Sequence, residues 1–246
     1  MRRHPLYHVG LVAVRNFILF LILAVCLAGP AAAQRRVSAR AQVQTVMDGK
    51  VTTVTKEVYC SANGRLVTVF HSPELAYIIS NPKGEVQIYR PSAKEVISEV
   101  KEDFSDRDDL LYLFLTGRVD DMGLAGYGYK LVSSKQEEGG IIREAYRCDE
   151  PGRIPRVELV TENFLPIYLA YIDGGGKVVS KTWFTQYLKL PRFFLPARVT
   201  NVSYTTSRDS VITRTTYSDV KVDPDSPLFD FQVPADARLV PLNKRK

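Results

Sequence analysis

The chain has 246 residues, of which 45% are apolar, and a formal net charge of +6. This composition provides ample apolar material for a core. The only dense basic run, Lys244 to Lys246, is too short to argue for nucleic acid, and we interpret it as a solvated tail.

The first 33 residues are typical of a secretory signal peptide. Arg2, Arg3 and Arg15 form a basic region, and an apolar run of 11 residues, FILFLILAVCL, follows it. The small residues at 31–33 then offer an A-x-A cleavage site. We expect cleavage after Ala33, which leaves residues 34–246 as a single domain and lowers the net charge from +6 to +3.

This segment has two other interpretations. An uncleaved membrane anchor is one, but 11 apolar residues fall well short of the roughly 20 that a spanning helix needs. A lipoprotein signal at Cys26 is the other, and Val25 argues against it because lipoprotein processing favours a small residue there.

The rest of the chain alternates between strand-like segments and turn residues. Asp48-Gly49 is a hairpin dipeptide, and Asn81-Pro82-Lys83-Gly84 suits a type I turn with proline in second place. This regular spacing predicts an antiparallel meander. The predicted strands are 36–46, 51–60, 65–70, 77–80, 85–90, 129–133, 141–148, 156–161, 167–172, 178–188, 194–205 and 211–222, with a short edge at 229–233.

Only one stretch, residues 108–116, predicts a helix. Asp106, Asp108 and Asp109 supply acids at its start, which we interpret as caps, and Gly117 ends it. The helix is apolar nearly all round, so it must be buried or must close over something. The glycine- and tyrosine-rich segment 123–129 that follows is a candidate lid.

The strands carry apolar residues on both faces more often than a plain sandwich needs. Ile78 stands beside Ile79, and Trp183 beside Phe184. Clean alternation would instead place polar residues on an outer face. Either both faces are covered or one of them lines a cavity.

Cys60 and Cys148 are the only cysteines after residue 33. Because their number is even and an oxidising compartment permits pairing, we predict a disulfide bond between them. Two unrelated buried thiols are the alternative.

Catalytic and metal-binding patterns are missing from the sequence. His71 is the only histidine after residue 33, and no HExxH, GxSxG or CxxC pattern occurs. We therefore predict no catalytic residues, no metal site and no cofactor. A hydrolase that uses carboxylates alone is the remaining enzymatic alternative.

Three stretches resemble the bacterial periplasmic lipoprotein carriers of the LolA/LolB type. The first, residues 64–96, places a glycine-led strand, a Pro73 corner and the hairpin NPKGEVQIYRPSAKEV in order. The second is the apolar helix. The third is the carboxyl end, where SDVKV leads to FDF, a proline and a small turn. The amino-terminal end of the domain differs. Carriers of this family begin with an amphipathic helix, whereas residues 34–46 predict a strand.

The resemblance implies a mostly β fold of α+β type. Its strongly curved antiparallel sheet forms an incomplete barrel, with a few helices covering the concave side. It further implies a periplasmic, monomeric, non-enzymatic carrier of the acyl chains of lipids or lipoproteins. Its partners would be the inner- and outer-membrane transfer machinery and not nucleic acid. Arg65 is the match for the arginine that holds the lid. An envelope sensor or interaction protein that uses the same fold to detect lipoproteins is the alternative function.

We expect the helix to face the concave side of the sheet, where acyl chains would lie. The structural alternative is a packed core with no room for a ligand. Which strand parity points inward is not fixed by the pattern, since a one-residue slip exchanges the faces. The predicted lipid-binding residues are Leu110, Leu111, Phe114 and Leu115 of the helix, and Phe70, Tyr77, Ile79, Ile88 and Trp183 of the sheet.

Overall fold

The computed structural model describes residues 35–100, 110–205 and 209–241. The predicted signal peptide (residues 1–33), the acids at 106–109 before the helix and the basic tail lie outside the described residues.

Strands dominate the described chain and form one curved sheet that does not close. Its 14 strands follow the order β14-β6-β5-β4-β3-β2-β1-β13-β12-β11-β10-β9-β8-β7. In chain order they are β1 (Arg36–Met47), β2 (Lys50–Ser61), β3 (Leu66–Phe70), β4 (Ala76–Ser80), β5 (Glu85–Arg90), β6 (Glu95–Val100), β7 (Lys130–Gln136), β8 (Ile141–Arg147), β9 (Arg156–Glu162), β10 (Leu165–Ile172), β11 (Val178–Lys189), β12 (Phe194–Tyr204), β13 (Ser210–Val222) and β14 (Arg238–Leu239).

The sheet consists of two antiparallel meanders, β1 to β6 and β7 to β13, joined where β1 pairs with β13. The predicted meander is therefore confirmed. The helix α1 (Leu110–Thr116) comes between β6 and β7 in chain order and packs near the middle of the sheet, against β1, β2 and β12.

Local turn chemistry explains why the strands begin and end where they do. Asp48 and Gly49 both have positive φ, as a two-residue hairpin turn of type I′ requires. In the predicted type I turn, the Gly84 amide donates to the Asn81 carbonyl at 3.1 Å. The Asn81 side chain also accepts from the Lys83 amide at 2.9 Å.

Helix α1 ends at Gly117, as predicted. The Gly117 amide donates to Phe114 O, and the Arg118 amide donates to Leu113 O at 2.8 Å. These two hydrogen bonds form a Schellman motif. The motif requires a left-handed φ at Gly117, which is 73° here and which glycine adopts without strain. The described residues also form three short 3-10 turns, Leu124–Tyr127, Glu138–Gly140 and Pro227–Asp230. No helix in the described part of the chain is long and apolar enough to span a bilayer.

The two faces of the sheet are covered differently. We call the face that carries α1 the helix face and the other the outer face. On the helix face, one buried cluster joins Leu111, Phe114 and Leu115 of α1 to β1, β2 and β12. A second joins Leu124 to β8–β11.

On the outer face, a third cluster of Val67, Val69 and Ile79 is covered by a C-terminal strap, residues 226–233. The strap forms a 3-10 turn in place of the predicted strand at 229–233, because Ser226 caps the turn and Pro227 opens it. The edge strand is instead β14, which pairs in parallel with β6.

The predicted disulfide bond between Cys60 and Cys148 does not form in this structure. Cys60 belongs to the first cluster and Cys148 to the second, and they are not bonded to each other. Six strands lie between β2 and β8 in the sheet order. The alternative, two buried thiols, is what the structure shows.

Candidate functional site

A cavity of about 550 Å³ lies on the helix face, between α1 with its following loop and the strands β10 to β13. It is lined by Leu110, Leu113, Met122, Leu124, Tyr127, Tyr129, Arg153, Leu169, Tyr171, Thr182, Phe184, Val199, Asn201, Thr215 and Tyr217. Its volume lies within the range of about 300–1,000 Å³ found for small-molecule sites.

Strand register explains which side chains reach this cavity. Phe184 of β11 pairs with Val199 of β12, and Val199 pairs with Thr215 of β13. Directly paired residues point to the same face of a sheet. One row of cross-strand partners therefore forms the cavity floor.

The backbone of β11 is irregular beside the floor. Gln186 has a φ of +58°, and the register of β11 with β12 is the same before it, at Thr185, and after it, at Tyr187. Phe184 belongs to the second cluster, and Tyr187 packs against that cluster. The Tyr187 hydroxyl donates to Pro166 O, and burial raises the pKa of this phenol, so it remains neutral.

The cavity roof combines fully buried and half-buried apolar side chains. Leu113 and Leu124 are buried, whereas Leu110, Met122 and Tyr127 are half-buried. Apolar surface that stays half-exposed above an apolar floor is available to a ligand. A packed core would instead bury all of it.

Uncharged polar groups line one side of the floor. The Asn201 amide donates to Thr182 Oγ1 at 2.9 Å and to Ser180 Oγ at 3.0 Å. It also accepts from Ser203 Oγ at 2.9 Å. This network holds hydroxyl groups beside the apolar floor without introducing a charge.

Arg153 is the one charged side chain among the described residues that line the cavity. Its guanidinium lies 5.0 Å from the centroid of the Tyr127 ring and 3.1 Å from Glu150. Nearby, the Tyr129 hydroxyl donates to Ile154 O at 2.8 Å, and burial raises the pKa of that phenol. Since Arg153 is exposed and paired with Glu150, the described part of the cavity lining carries no unpaired charge.

This lining can accommodate an apolar ligand. Among the described residues, no group of three or more His, Cys, Asp or Glu side chains could hold a metal ion. The arrangement can shelter a long apolar group, with hydroxyl and amide partners on one side and a guanidinium at its border.

Comparison with known proteins bears on the fold. No family model matches the chain, and no curated protein matches it. Solved structures do. A LolA superfamily protein from Nitrosomonas europaea superimposes with a TM-score of 0.53 and 12% identity, covering 80% of this chain and 90% of that one. A putative outer membrane lipoprotein-sorting protein domain from Vibrio parahaemolyticus superimposes with a TM-score of 0.53 and 10% identity, covering 79% of this chain and 89% of that one.

The chain has a LolA-like fold. A DUF1329 family protein from Desulfovibrio piger is a further structural neighbour, with a TM-score of 0.56 and 16% identity over 85% of this chain and 94% of that one. At such identities the likeness concerns the fold, and function must be argued from the residues.

Within this LolA-like fold, the predicted helix residues divide between cavity and core. Leu110 lines the cavity, as does Leu113, which we did not select. Leu111, Phe114 and Leu115 lie in the first cluster and are at most 2% exposed. The four predicted residues face the helix side of the sheet, but these three pack as core.

The predicted sheet residues are not brought together. Pairing places Phe70 and Ile88 on the helix face but on strands β3 and β5, outside the lining of the cavity. Tyr77 and Ile79 face the outer side, beneath the strap. Trp183 also faces outward, because its neighbour Phe184 is the one that points into the cavity.

Arg65 holds the C-terminal strap. Its guanidinium donates to Phe229 O at 3.2 Å and to Phe231 O. The lid-holding role implied by the resemblance stays a prediction, and in this structure the contacts of Arg65 are with the strap.

The candidate lid at 123–129 contributes Leu124, Tyr127 and Tyr129 to the cavity.

The sequence did not predict several residues of the cavity floor, namely Leu169, Val199, Thr215 and Tyr217. Their strands were predicted, but no pattern showed which parity faces α1. Alternation counted from Phe184 would have found Thr182.

Proposed function

We propose that this chain is a non-enzymatic periplasmic carrier that binds the acyl chains of lipoproteins or lipids in the helix-face cavity, for transfer towards the outer membrane. The observation that carries the proposal is the cavity lining, which is apolar on the roof and on part of the floor, has uncharged polar groups on one side, and has one charged residue at its border among the described residues. The LolA-like fold and the signal-peptide pattern of residues 1–33 support it.

The binding energy would come from area burial. Each methylene taken out of water contributes about 0.8 kcal/mol, so about ten of them contribute about 8 kcal/mol before the cost of ordering the ligand. A net binding free energy of about 8 kcal/mol corresponds to micromolar affinity, so after the ordering cost a chain longer than ten methylenes is needed to reach that affinity. A carrier needs affinity of this order because it must also release its cargo to the next component of the transfer machinery.

A neighbouring pair of threonines on β13 allows a matched test. Thr215 lines the cavity, whereas Thr216 points to the outer face, where it pairs with Arg198. Both are half-buried. Thr215→Trp should fill the cavity and weaken uptake of a fluorescent fatty acid at least ~10-fold, the equivalent of ~1.4 kcal/mol. Thr216→Trp should leave uptake unchanged.

Thermal unfolding of both variants provides the control for stability. Equal loss of uptake in the two variants would contradict the proposal, and so would full uptake in Thr215→Trp. Mass spectrometry of lipids that co-purify with the protein would identify the cargo. Absence of turnover of the bound lipid would separate a carrier from a hydrolase.

A further inference from the structure

A second concavity lies on the outer face, on the side of the sheet opposite the cavity. It is a groove of about 780 Å³ across β8, β9, β10 and β11. It is lined by Glu137, Ile141, Arg143, Glu158, Val160, Glu162, Ile167, Tyr168, Trp183, Phe184, Thr185, Gln186 and Tyr187. Phe184 is the one described residue that also lines the helix-face cavity, and the proposed carrier function makes no other use of this groove.

Two aromatic rings form the centre of the groove. Tyr168 and Trp183 are direct cross-strand partners, with ring centroids 5.8 Å apart and an interplanar angle of 60°. Both are half-buried, so part of each ring faces solvent. On the outer face of a sheet, two neighbouring aromatic residues offer a large rigid contact area.

Hydrogen-bonding side chains surround the rings. Arg143 is held between two carboxylates, 3.3 Å from Glu137 and 2.5 Å from Glu158. Glu162 and Gln186 complete the polar border, and both are exposed. Gln186 has a left-handed φ of +58°, so the backbone at this position departs from the extended strand geometry.

This combination discriminates between ligand chemistries. An acyl chain is a poor match, because charged side chains border the rings and would lose hydration against it. An anionic ligand is also a poor match, since the lining has three carboxylates against one guanidinium. A pyranose sugar presents C–H groups on its face and hydroxyl groups around its edge, which fits rings surrounded by donors and acceptors.

We propose that this groove binds an uncharged oligosaccharide, which stacks on Trp183 and Tyr168 and hydrogen-bonds to the polar side chains around them. The groove crosses four strands, and three strand spacings measure about 14 Å, so it suits several linked sugars rather than one. Lys181 lies over Trp183, with its ammonium 5.1 Å from the ring centroid. Its side chain must shift when a sugar stacks there.

Trp183 provides a direct reporter, because it is the only tryptophan in the chain. The purified protein is titrated with cellotriose, maltotriose and triacetylchitotriose while its tryptophan emission is followed. We expect a saturable change with at least one of the three. Tyr168→Ala should weaken that affinity at least ~10-fold, and Tyr168→Phe, which keeps the ring, should leave it within about twofold.

Three results would overturn the proposal: no saturable change with any of the sugars, unchanged affinity in Tyr168→Ala, or a response at Trp183 to an extended peptide or a fatty acid in place of sugars. Unfolding temperatures of the Tyr168 variants provide the stability control. Fatty-acid uptake should be equal in both variants, because the cavity lies on the other face. The carrier proposal and the sugar proposal can therefore fail separately.

Discussion

The C-terminal strap allows a prediction whose size follows from its contacts. Phe229 is fully buried, and its ring meets Tyr59 edge-on with centroids 5.4 Å apart. The Arg36 guanidinium lies 5.1 Å from the same ring. Phe229→Ala would remove these contacts and leave a cavity under the strap.

Truncation of a buried phenylalanine to alanine costs about 3–5 kcal/mol. For a domain of this size each kcal/mol lowers the unfolding temperature by about 2–4 °C, so a fall of about 6–20 °C is expected. Phe231 provides the matched control. It stacks on Tyr77 at 4.2 Å but is half-buried. Phe231→Ala should therefore cost about 1–2 kcal/mol.

Thermal unfolding followed by circular dichroism would measure both variants, and fatty-acid uptake would be measured below both unfolding temperatures. Because the strap covers the outer face, uptake should be unchanged in each. A fall in unfolding temperature no larger for Phe229→Ala than for Phe231→Ala would refute the reasoning about burial. Lost uptake in the folded Phe229→Ala protein would refute the separation of the two faces.

The sequence predicted those features of the fold that depend on local chemistry. Asp48-Gly49 and the turn at 81–84 each contain residues that favour a particular turn geometry, so the hairpins at these positions form as expected. Gly117 ended the helix for the same reason. Such signals act over a few residues and need no knowledge of the tertiary structure.

The faces of the strands could not be predicted in the same way. Ile78 and Ile79 are both apolar, as are Trp183 and Phe184, because each face of the sheet has its own cover. The helix and its loop cover one face, and the strap covers part of the other. Where hydrophobicity does not alternate, the period of two carries no information on which residue points inward.

The strap itself shows a second limit. The sequence FDFQV has the spacing of an edge strand, but Ser226 accepts a hydrogen bond from the Leu228 amide and starts a 3-10 turn. Arg65, more than 160 positions earlier, then holds the carbonyls of Phe229 and Phe231. A contact over such a sequence separation leaves no local pattern.

Two further predictions follow from the outer face. Arg65→Met should lower the free energy of unfolding by about 2 kcal/mol, because it removes charge-assisted hydrogen bonds to the strap. Fatty-acid uptake should be unchanged. Lost uptake in a folded protein would instead support the lid-holding role. The second concerns alkaline pH. Burial, followed by the hydrogen bond that the Tyr59 hydroxyl donates to Glu57 at 2.8 Å, raises the pKa of this phenol from 10.0 to about 12. As pH rises, this phenol ionises in the unfolded chain before it ionises in the folded protein. Between pH 10 and about 12 the unfolded state therefore binds fewer protons, and stability falls as pH rises. Below pH 10 the contribution of Tyr59 to stability is fully present. Urea unfolding across this range should show a steeper decline for the wild-type protein than for Tyr59→Phe, which cannot ionise at this position. Equal slopes would show that Tyr59 does not contribute to the alkaline loss of stability.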